Sequence, residues 1–403
     1  MSFRSDKHKF LFHFFLMNEI CPSAQCTGCA ACVNSCSHGA VIMRKSDNGF
    51  FYPEIDNRLC VDCGLCKNTC PVNEKPVCGS PVRVYLCWNK HDYVRLKSSS
   101  GGLFSVIASW IISKGGIVCG AAYDGDMNVV HQVVDREDGL GRLRGSKYVQ
   151  SATGDCYKRI KDALRTGRQA YFVGTPCQVA GLRKYLHSDY DNLLTSDLIC
   201  HGVPSNDLFV RQIRQLERKH GYKIKDFLFR SKQRFGQGCD LQVVTADGKS
   251  RFYNAELMPY FYGFWNNITL RPSCYVCRFA NTQRASDITL GDYWLAKKEF
   301  PGVKMSKGLS LALVNTGKGQ KVWNEIKSDI EWRESTLQQA ERGQGQLKAP
   351  VGRPKANTDY LASYSQLDFT QCCRRYLTPS LKYTLKCHIK NAVKLLIGFK
   401  YWK

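Results

Sequence analysis

The sequence predicts a small α+β module at the N-terminus, followed by a larger mixed α/β domain. Two tandem runs of regularly spaced cysteines within residues 26–70 predict the module. Between residues 82 and 320, short apolar strands alternate with glycine-containing turns and helical segments, a pattern typical of α/β domains with functional groups at strand ends. A length of 403 residues suffices for two or three domains.

The cysteine runs have the spacing of bacterial dicluster ferredoxins, which bind two 4Fe–4S clusters. The first is Cys26-x2-Cys29-x2-Cys32-x3-Cys36, and the second is Cys60-x2-Cys63-x2-Cys66-x3-Cys70, followed by Pro71. Three thiolates at this spacing can wrap one face of a cube, and the fourth cysteine of each run reaches the other cube. The spacing therefore predicts one cluster on Cys26, Cys29, Cys32 and Cys70, and a second on Cys60, Cys63, Cys66 and Cys36.

Disulfides in a secreted domain and zinc ligands are the alternatives for these eight cysteines. Zinc knuckles pair two C-x2-C units, however, and do not produce two tandem four-cysteine runs. Ser37 stands where a proline usually follows the fourth cysteine, which concerns the local turn and not ligation. Between the runs, Ala40–Arg44 and Phe50–Ile55 are predicted as two strands of a hairpin.

The composition indicates a cytoplasmic protein with anionic partners. The chain has 21 cysteines without an evident secretory signal, since the apolar run Phe10–Met17 is short and lacks a cleavage site. Its net charge is +24, which favours an acidic redox protein, a membrane surface or nucleic acid as partner. No nucleic-acid-binding motif accompanies the charge, so nucleic acid is not expected.

The first part of the larger domain places a small-residue loop before a helix. A strand at Val82–Trp88 leads to the loop Ser98–Gly102 and the helix Leu103–Ser113, and a further strand is predicted at Ile117–Tyr123. Free backbone N–H groups at such a helix start suit a phosphate group. An ordinary helix cap with a glycine hinge is the alternative.

A third cysteine set lies around two later strands. Ala170–Val173 is predicted as a strand that breaks at Cys177, and Leu193–Ile199 as a strand that ends at Cys200. Far along the chain follow Cys274 and Cys277, a C-x2-C pair. The spacing alone leaves zinc, an iron–sulfur cluster and unrelated buried cysteines open for these four thiols.

Six motifs, in order, resemble the coenzyme F-420 hydrogenase/dehydrogenase beta subunit family of flavin and iron–sulfur reductases, and the resemblance spans roughly residues 21 to 320. They are Ser99–Phe104, Gly145–Ser151, Gly174–Leu182, Asp197–Ser205, Arg271–Cys277 and Ser286–Trp294.

The resemblance implies a third 4Fe–4S cluster and a bound FAD. It places the third cluster on Cys177, Cys200, Cys274 and Cys277. It places FAD among Ser99, Ser100, Gly101, Gly102, Lys147, Tyr148 and Thr175. No side-chain acid or base is assigned; His201, beside a ligand position, is a weak candidate for proton donation, and simple packing is the alternative.

The expected organisation has five parts, the last of which is a basic tail. They are an N-terminal extension (1–20), the dicluster ferredoxin domain (21–75), a FAD-binding region (82–168), a domain with the third cluster (169–340), and a basic linker with an amphipathic helix (345–403).

The tail helix is expected to begin around Thr378-Pro379. It has an apolar stripe from Leu381 to Leu396 and a lysine stripe from Lys382 to Lys394. Residues 379–403 could therefore lie on an anionic membrane or bind an acidic partner. The alternative is a helix docked on the protein's own core with its lysines outward.

The sequence thus predicts an iron–sulfur flavoprotein oxidoreductase, cytoplasmic or peripheral at the inner membrane face. Electrons would pass from reduced ferredoxin or another acidic donor through the clusters to FAD and an unidentified small-molecule substrate or deazaflavin-like coenzyme. The reverse direction is equally compatible. A non-catalytic subunit that relays electrons to a partner enzyme, and a membrane- or nucleic-acid-associated sensor, are the other hypotheses.

Overall fold

The computed structural model describes residues 19–238 and 240–401. The predicted extension over residues 1–20, with the apolar run Phe10–Met17, therefore lies almost wholly outside the described residues, as does Cys239.

The N-terminal module contains the predicted hairpin. Strands β1 (Val41–Lys45) and β2 (Phe51–Ile55) pair antiparallel. The Asn48 side chain accepts hydrogen bonds from the Ser46 hydroxyl and the Phe50 N–H, at 2.6 and 3.1 Å, and so closes the turn. Short helices α1 (Ala31–Ser35) and α2 (Leu65–Asn68) carry one cysteine from each run.

The other strands build two sheets. In chain order they are β3 (Arg83–Asn89), β4 (Ile117–Tyr123), β5 (Val129–Val134), β6 (Ala170–Gly174), β7 (Leu193–Leu198), β8 (Ile224–Ser231), β9 (Asp240–Thr245), β10 (Ser250–Asn254), β11 (Ile288–Asp292), β12 (Ser310–Val314) and β13 (Ile330–Ser335).

The larger sheet has the strand order β13-β3-β12-β11-β7-β6-β4-β5. Its four central neighbours, β11, β7, β6 and β4, are parallel, and the flanking strands are antiparallel. Carboxyl ends of parallel strands lie at one edge of a sheet, so the residues after β6 and β7 are neighbours. The smaller sheet, β10-β9-β8, is antiparallel. The mixed α/β fold predicted from the sequence is confirmed.

The remaining helices follow the strands. They are α3 (Asp92–Lys97), α4 (Leu103–Ser113), α5 (Leu140–Leu143), α6 (Cys156–Arg165), α7 (Pro176–Leu186), α8 (Asn206–His220), α9 (Pro259–Trp265), α10 (Ala296–Glu299), α11 (Gly317–Ile326), α12 (Leu337–Gly343), α13 (Lys355–Ser363), α14 (Phe369–Cys372) and α15 (Leu381–Tyr401).

Helices cover both faces of the larger sheet because side chains of successive strand residues point to opposite faces. In β4, Val118 packs with helices α4, α5 and α11 on one face. The next residue, Cys119, packs with α6 and α7 on the other face, where Cys29 of the N-terminal module joins the same apolar cluster. The module is therefore held against the sheet through α7.

The segment expected to be a linker, residues 345–377, is part of the core instead. Its short helices bury Tyr360, Tyr364, Phe369 and Leu377 in the cluster formed by the smaller sheet with α8 and α9. The buried Asn357 side chain donates hydrogen bonds to the carbonyls of Ile268 and Leu270 at 2.8 and 3.2 Å. Aromatic residues in a polar, basic stretch thus supply a core layer.

The tail helix differs from expectation at its start and in its orientation. α15 begins at Leu381, and the backbone carbonyl of Ser380 accepts the bond from Thr384 N, so the helix starts two residues after the predicted Thr378-Pro379. The alternative of a helix docked on the protein's own core with its lysines outward holds in part, because Cys387 is buried against the protein and Lys382 and Lys386 are exposed. The apolar stripe does not take part in this docking, since Leu385 and Ile389 are exposed. Among the described residues, no helix combines the length and apolarity needed to cross a bilayer.

Asn357 offers a test of the added core layer. We expect Asn357→Ala to lower the free energy of unfolding by about 2 kcal/mol, because two buried carbonyls lose their donor. Denaturant titration followed by tryptophan fluorescence measures this change. The exposed Ser365→Ala is the control and should leave the midpoint unchanged. Equal midpoints for both variants would contradict the assignment of this segment to the core.

Candidate iron–sulfur centres and the adjoining cavity

The first predicted set of thiols comes together in the N-terminal module. Cys26, Cys29, Cys32 and Cys70 are all buried and line one small cavity of about 20 Å³. Burial, with Cys70, Cys177 and Cys26 nearby, raises the pKa of Cys29 to about 12. Gly28 and Ala30 adopt positive φ angles of 68° and 59°, which curl the backbone around this cavity. The fold therefore brings Cys70 to the first run, as the crossed assignment requires.

The second set is more exposed. Burial raises the pKa of Cys66, and Cys60, Cys36 and Cys63 lie close enough to raise it further. Cys63 is exposed and the other three are half-buried. The four thiols predicted to bind the second cluster are thus neighbours, and they face solvent more than the first set does.

The third set lies at the predicted strand ends. Cys177 is in the first turn of α7, directly after β6, where the Thr175 hydroxyl and the Gln178 side chain form a capping box. Cys200 lies two residues after β7. The segment with Cys274 and Cys277 is fixed beside them, because Arg271 N donates to Val203 O at 2.9 Å. All four thiols line one cavity of about 50 Å³.

The chemistry of these donors fits iron–sulfur clusters. Burial raises the pKa of Cys177 to about 11 and of Cys274 to about 12, so these thiols lose their protons only on metal binding. Among the described residues, no group of three or more His, Cys, Asp or Glu is placed to hold a single metal ion. The thiols of the first set and those of the third set each line a small cavity. Ligation itself stays a prediction.

Arg271 connects the first and third sets and was not singled out by sequence reasoning. Its side chain is fully buried. Nε donates to Cys26 O at 2.7 Å, Nη1 to Gln150 Oε1 at 3.1 Å and Nη2 to Phe51 O at 3.0 Å. Its charge lowers the pKa values of Cys26, Cys177 and Cys274, so the guanidinium lies near both thiol sets. The only signal in the sequence was its place next to Pro272 in the Cys274 motif.

Helix α7 brings the same two sets into contact. A Cβ atom on Gly181 would lie 2.9 Å from Cys29 Sγ and 3.2 Å from Cys29 Cβ. The absence of a side chain at this position therefore lets the helix that begins with Cys177 pack directly on Cys29. Thr27, between two ligands of the first set, also lines the cavity of the third set.

A buried ion pair fixes the far side of the third set. Arg284 Nη2 and Asp197 Oδ1 are 3.0 Å apart, and both side chains are almost fully buried. Arg284 also donates to the carbonyls of Phe279 and Asn281, both at 3.1 Å, and to Leu198 O at 2.9 Å. These bonds tie the turn after Cys277 to the end of β7, which precedes Cys200.

A third and much larger cavity of about 730 Å³ lies beside the α/β sheet. Two of the predicted FAD contacts, Ser99 and Lys147, line it, together with Tyr123, Phe227 and Phe229 as an aromatic wall. Its lining also includes basic side chains from three segments, and these are Lys97, Arg142, Arg144, Lys225, Arg230 and Lys232. The volume, the aromatic wall and the cations suit a large aromatic diphosphate such as FAD.

The other predicted FAD contacts do not line the large cavity directly. Gly101 packs on the sheet, where an added Cβ would lie 2.6 Å from Cys87 O, and Gly102 begins α4 with φ +89°. Ser100 Oγ donates to Asp292 Oδ1 at 2.7 Å. Tyr148 OH accepts from Arg230, which lines the cavity. Thr175 lines the third thiol set and not the large cavity.

The cations differ in what they can offer a ligand. Lys147 Nζ donates to the carbonyls of Arg142, Arg144 and Gly145, and Lys232 Nζ to those of Arg95, Ser100 and Lys307, so each ammonium uses its three donors within the chain. Both supply charge without direct bonds. Arg144 binds Ser105 Oγ only through Nε, at 2.9 Å, and among the described residues nothing accepts from its terminal amino groups. Arg144 therefore keeps donors for a phosphate, which Lys147 and Lys232 do not.

Residues 145–151 link the large cavity to the third thiol set. Gly145, Ser146 and Lys147 line the large cavity, and Gln150 and Ser151 line the cavity between the four thiols. Ser146 N donates to Ser99 Oγ at 2.7 Å, which joins the predicted loop to this segment. The two cavities are thus neighbours along one short stretch of chain.

Two further residues, Cys21 and His201, lie beside the thiol sets. Cys21 showed no ligand spacing, yet it lines the first cavity, and its hydrogen bonds to Cys26 and Cys70 lower their pKa values to about 6 and about 7. His201 Nε2 lies 2.7 Å from Asn267 Oδ1 and the ring packs near Phe264. Burial lowers the pKa of His201, which fits the packing role better than proton donation.

Comparisons with known families match two separate parts of the chain. Residues 167–339 match the family described as the C terminus of the coenzyme F420 hydrogenase/dehydrogenase beta subunit. Residues 25–73 match the 4Fe-4S dicluster domain. The first range contains all four cysteines of the third set, and the second contains the eight cysteines of the two runs. The resemblance inferred from the six motifs is confirmed.

Individual relatives match this chain over very different lengths. The coenzyme F420-dependent sulfite reductase of Methanocaldococcus jannaschii is 24% identical over 370 residues, which cover 88% of this chain and 54% of the reductase. The chain thus spans about half the length of that relative. The ferredoxin-type protein NapF of Escherichia coli K12 is 34% identical over 59 residues, 15% of this chain and 36% of NapF.

A solved structure of the F420-reducing NiFe hydrogenase complex from Methanosarcina barkeri aligns with 75% of this chain and 93% of its own matched chain. The identity is 16% and the TM-score is 0.43.

The third set can be tested by removing one thiol. We expect wild-type protein purified without oxygen to contain about twelve irons and Cys177→Ala to contain about eight, because one of the three predicted clusters would lose a ligand. Iron and sulfide analysis measures both. Cys87→Ala, a buried thiol in β3 away from all three sets, is the matched control and should keep its iron. Full iron in Cys177→Ala would contradict the assignment.

Proposed function

We propose that this chain, whose residues 25–73 are a 4Fe-4S dicluster domain and whose residues 167–339 belong to the coenzyme F420 hydrogenase/dehydrogenase beta subunit family, is an iron–sulfur flavoprotein oxidoreductase. It would hold three 4Fe–4S clusters on the three thiol sets and FAD in the large cavity. The observation that carries the proposal is the unbroken series of contacts from the first set, through the third set and residues 145–151, to that cavity.

The burial of the thiol sets supports an order of electron transfer. The second set is the most exposed and is the natural point of exchange with a redox partner. The first set is buried and touches α7, which begins at the third set. Residues 145–151 then lead to the large cavity. Electrons entering at the second set would therefore reach the cavity last.

Clusters exchange single electrons, whereas a flavin can take up two electrons one at a time and pass both on as hydride, which is why one chain would combine them. The chain's own residues position these groups. Arg271 and Gly181 hold the first and third sets together, and the Arg284–Asp197 pair fixes the third. Arg144 would bind phosphate, and the charges of Lys147 and Lys232 would balance the diphosphate.

The partners belong to the proposal as well. Leu59 and Val61 are exposed apolar residues beside Cys60 and Cys63, and we assign the docking of reduced ferredoxin or a comparable donor to this face. The matched sulfite reductase is named for F420, so the substrate would be a deazaflavin-like coenzyme or another small organic molecule that reaches the flavin.

A non-catalytic relay subunit is the second candidate function, favoured by a single fact. The chain spans about half of the sulfite reductase it matches, so the unmatched half of the reductase could supply the substrate site. A relay needs clusters but no flavin and no organic acceptor. The large cationic cavity favours the flavoprotein over the relay.

Counting cofactors distinguishes the two functions. We expect protein purified without oxygen to contain about twelve irons and one FAD per chain. Arg144→Met should lose FAD while keeping iron, because Arg144 faces the large cavity and not the thiol sets. The exposed Lys321→Met is the control. Eight irons without flavin would contradict both the third cluster and the FAD site and leave the relay as the better description.

The cavity cations predict a pH dependence of FAD binding. Burial lowers the pKa of Lys147 to about 8 and that of Lys232 to about 7. Both ammonium groups lose their charge as the pH rises through these values, so attraction for a diphosphate weakens. We expect the Kd for FAD to rise roughly tenfold between about pH 6.5 and about pH 9, equivalent to about 1.4 kcal/mol. Fluorescence titration of the reconstituted protein measures it.

Lys232→Met should flatten this pH profile, since it removes the group that titrates first. Lys321→Met should keep the wild-type profile. A Kd that falls with rising pH, or an unchanged profile in Lys232→Met, would show that these lysines do not face the diphosphate.

A further inference from the structure

Helix α15 is attached to the protein by the face that carries Tyr383, Cys387 and Lys390. Cys387 is buried at the centre of that face. Around it, Glu256 accepts hydrogen bonds from Tyr383 OH at 2.9 Å, Cys387 Sγ at 3.3 Å and Lys390 Nζ at 2.6 Å. The contact is mainly polar and centres on one carboxylate. The aliphatic side chains of this helix whose burial the structure describes take no part in the docking, since all of them are exposed.

Those aliphatic side chains form an exposed stripe on the opposite side. Leu381, Leu385, Ile389 and Leu396 are 89%, 63%, 57% and 74% exposed. At 3.6 residues per turn, this stripe is centred about half a turn away from Cys387. A row of exposed leucine and isoleucine is unfavourable in water, and its regular spacing gives a continuous apolar surface along four turns of helix.

The charges beside the stripe identify what covers it. Lys382 and Lys386 are exposed along one edge of it. Residues 369–403 contain eight Lys and Arg and no Asp or Glu. A second copy of the chain would bring two such surfaces together and would be opposed by like-charge repulsion. An anionic lipid surface satisfies both features, because acyl chains accept the stripe and headgroups accept the lysines.

We propose that α15 lies in the plane of an anionic lipid bilayer, with Leu381, Leu385, Ile389 and Leu396 inserted between the lipids. Lys382 and Lys386 contact the headgroups, and the Glu256 contacts keep the rest of the protein against the membrane surface. The inference does not depend on the proposed redox function, because it rests only on the orientation and charge of this helix.

Flotation of the full-length, cofactor-loaded protein with vesicles tests the inference. The probes are vesicles of 30% phosphatidylglycerol in phosphatidylcholine, and vesicles of phosphatidylcholine alone. We expect binding to the anionic vesicles at least tenfold tighter than to the neutral ones. The double variant Leu385→Glu/Ile389→Glu should lose at least tenfold in this binding, and Lys382→Gln/Lys386→Gln should lose the preference for anionic lipid.

The matched control places the same two charges elsewhere. Val77→Glu/Val82→Glu changes two exposed valines outside α15 and should bind vesicles as the wild type does. Iron content and the visible spectrum of each variant report folding independently of lipid. Failure of the wild-type protein to bind anionic vesicles, equal binding by Leu385→Glu/Ile389→Glu, or a dimer that this double variant dissociates would overturn the proposal.

Discussion

The burial of Arg271 is the constraint on which the arrangement of the thiol sets depends. A guanidinium removed from water costs several kcal/mol unless charge or hydrogen bonds compensate it. Its partners are two carbonyls, an amide and the rings of Phe50 and Tyr52, all neutral. Among the described residues no carboxylate pairs with it. The compensating charge would come from the thiolates of the two sets on either side, so folding and cluster binding would support each other.

The large cavity is likewise lined by cations that are withdrawn from solvent. Lys232 is buried and Lys147 is half-buried, each ammonium donates to backbone carbonyls, and burial lowers the pKa of each. Part of the net charge of +24 thus points inward, toward places where anionic cofactors would lie, and is not all available for partners. In the tail helix, by contrast, the lysines beside the stripe stay in solvent.

Much of the site could be predicted because its signals are local. Cysteine spacing predicts the two runs. The ends of predicted strands indicate Cys177 and Cys200, because short apolar runs favour strands and turn residues favour turns through local interactions. Residues whose roles depend on distant partners were missed. Arg271 binds a carbonyl 245 positions away, and Gly181 matters only because Cys29 packs on it. The polar composition of residues 345–377 predicts a linker, and nothing local in it indicates that Tyr360 and Tyr364 are buried.

The orientation of α15 shows where periodicity stops being informative. Spacing defines an apolar face and a basic face, but either could dock, and burial of the apolar face is the usual outcome. Here Glu256, more than 120 positions earlier, binds three groups on the helix and reverses that outcome. Polar contacts of this kind contribute little net free energy compared with burying four aliphatic side chains. A helix docked in this way has therefore kept its apolar stripe available, which is the arrangement expected when the stripe is covered by something other than the protein's own core.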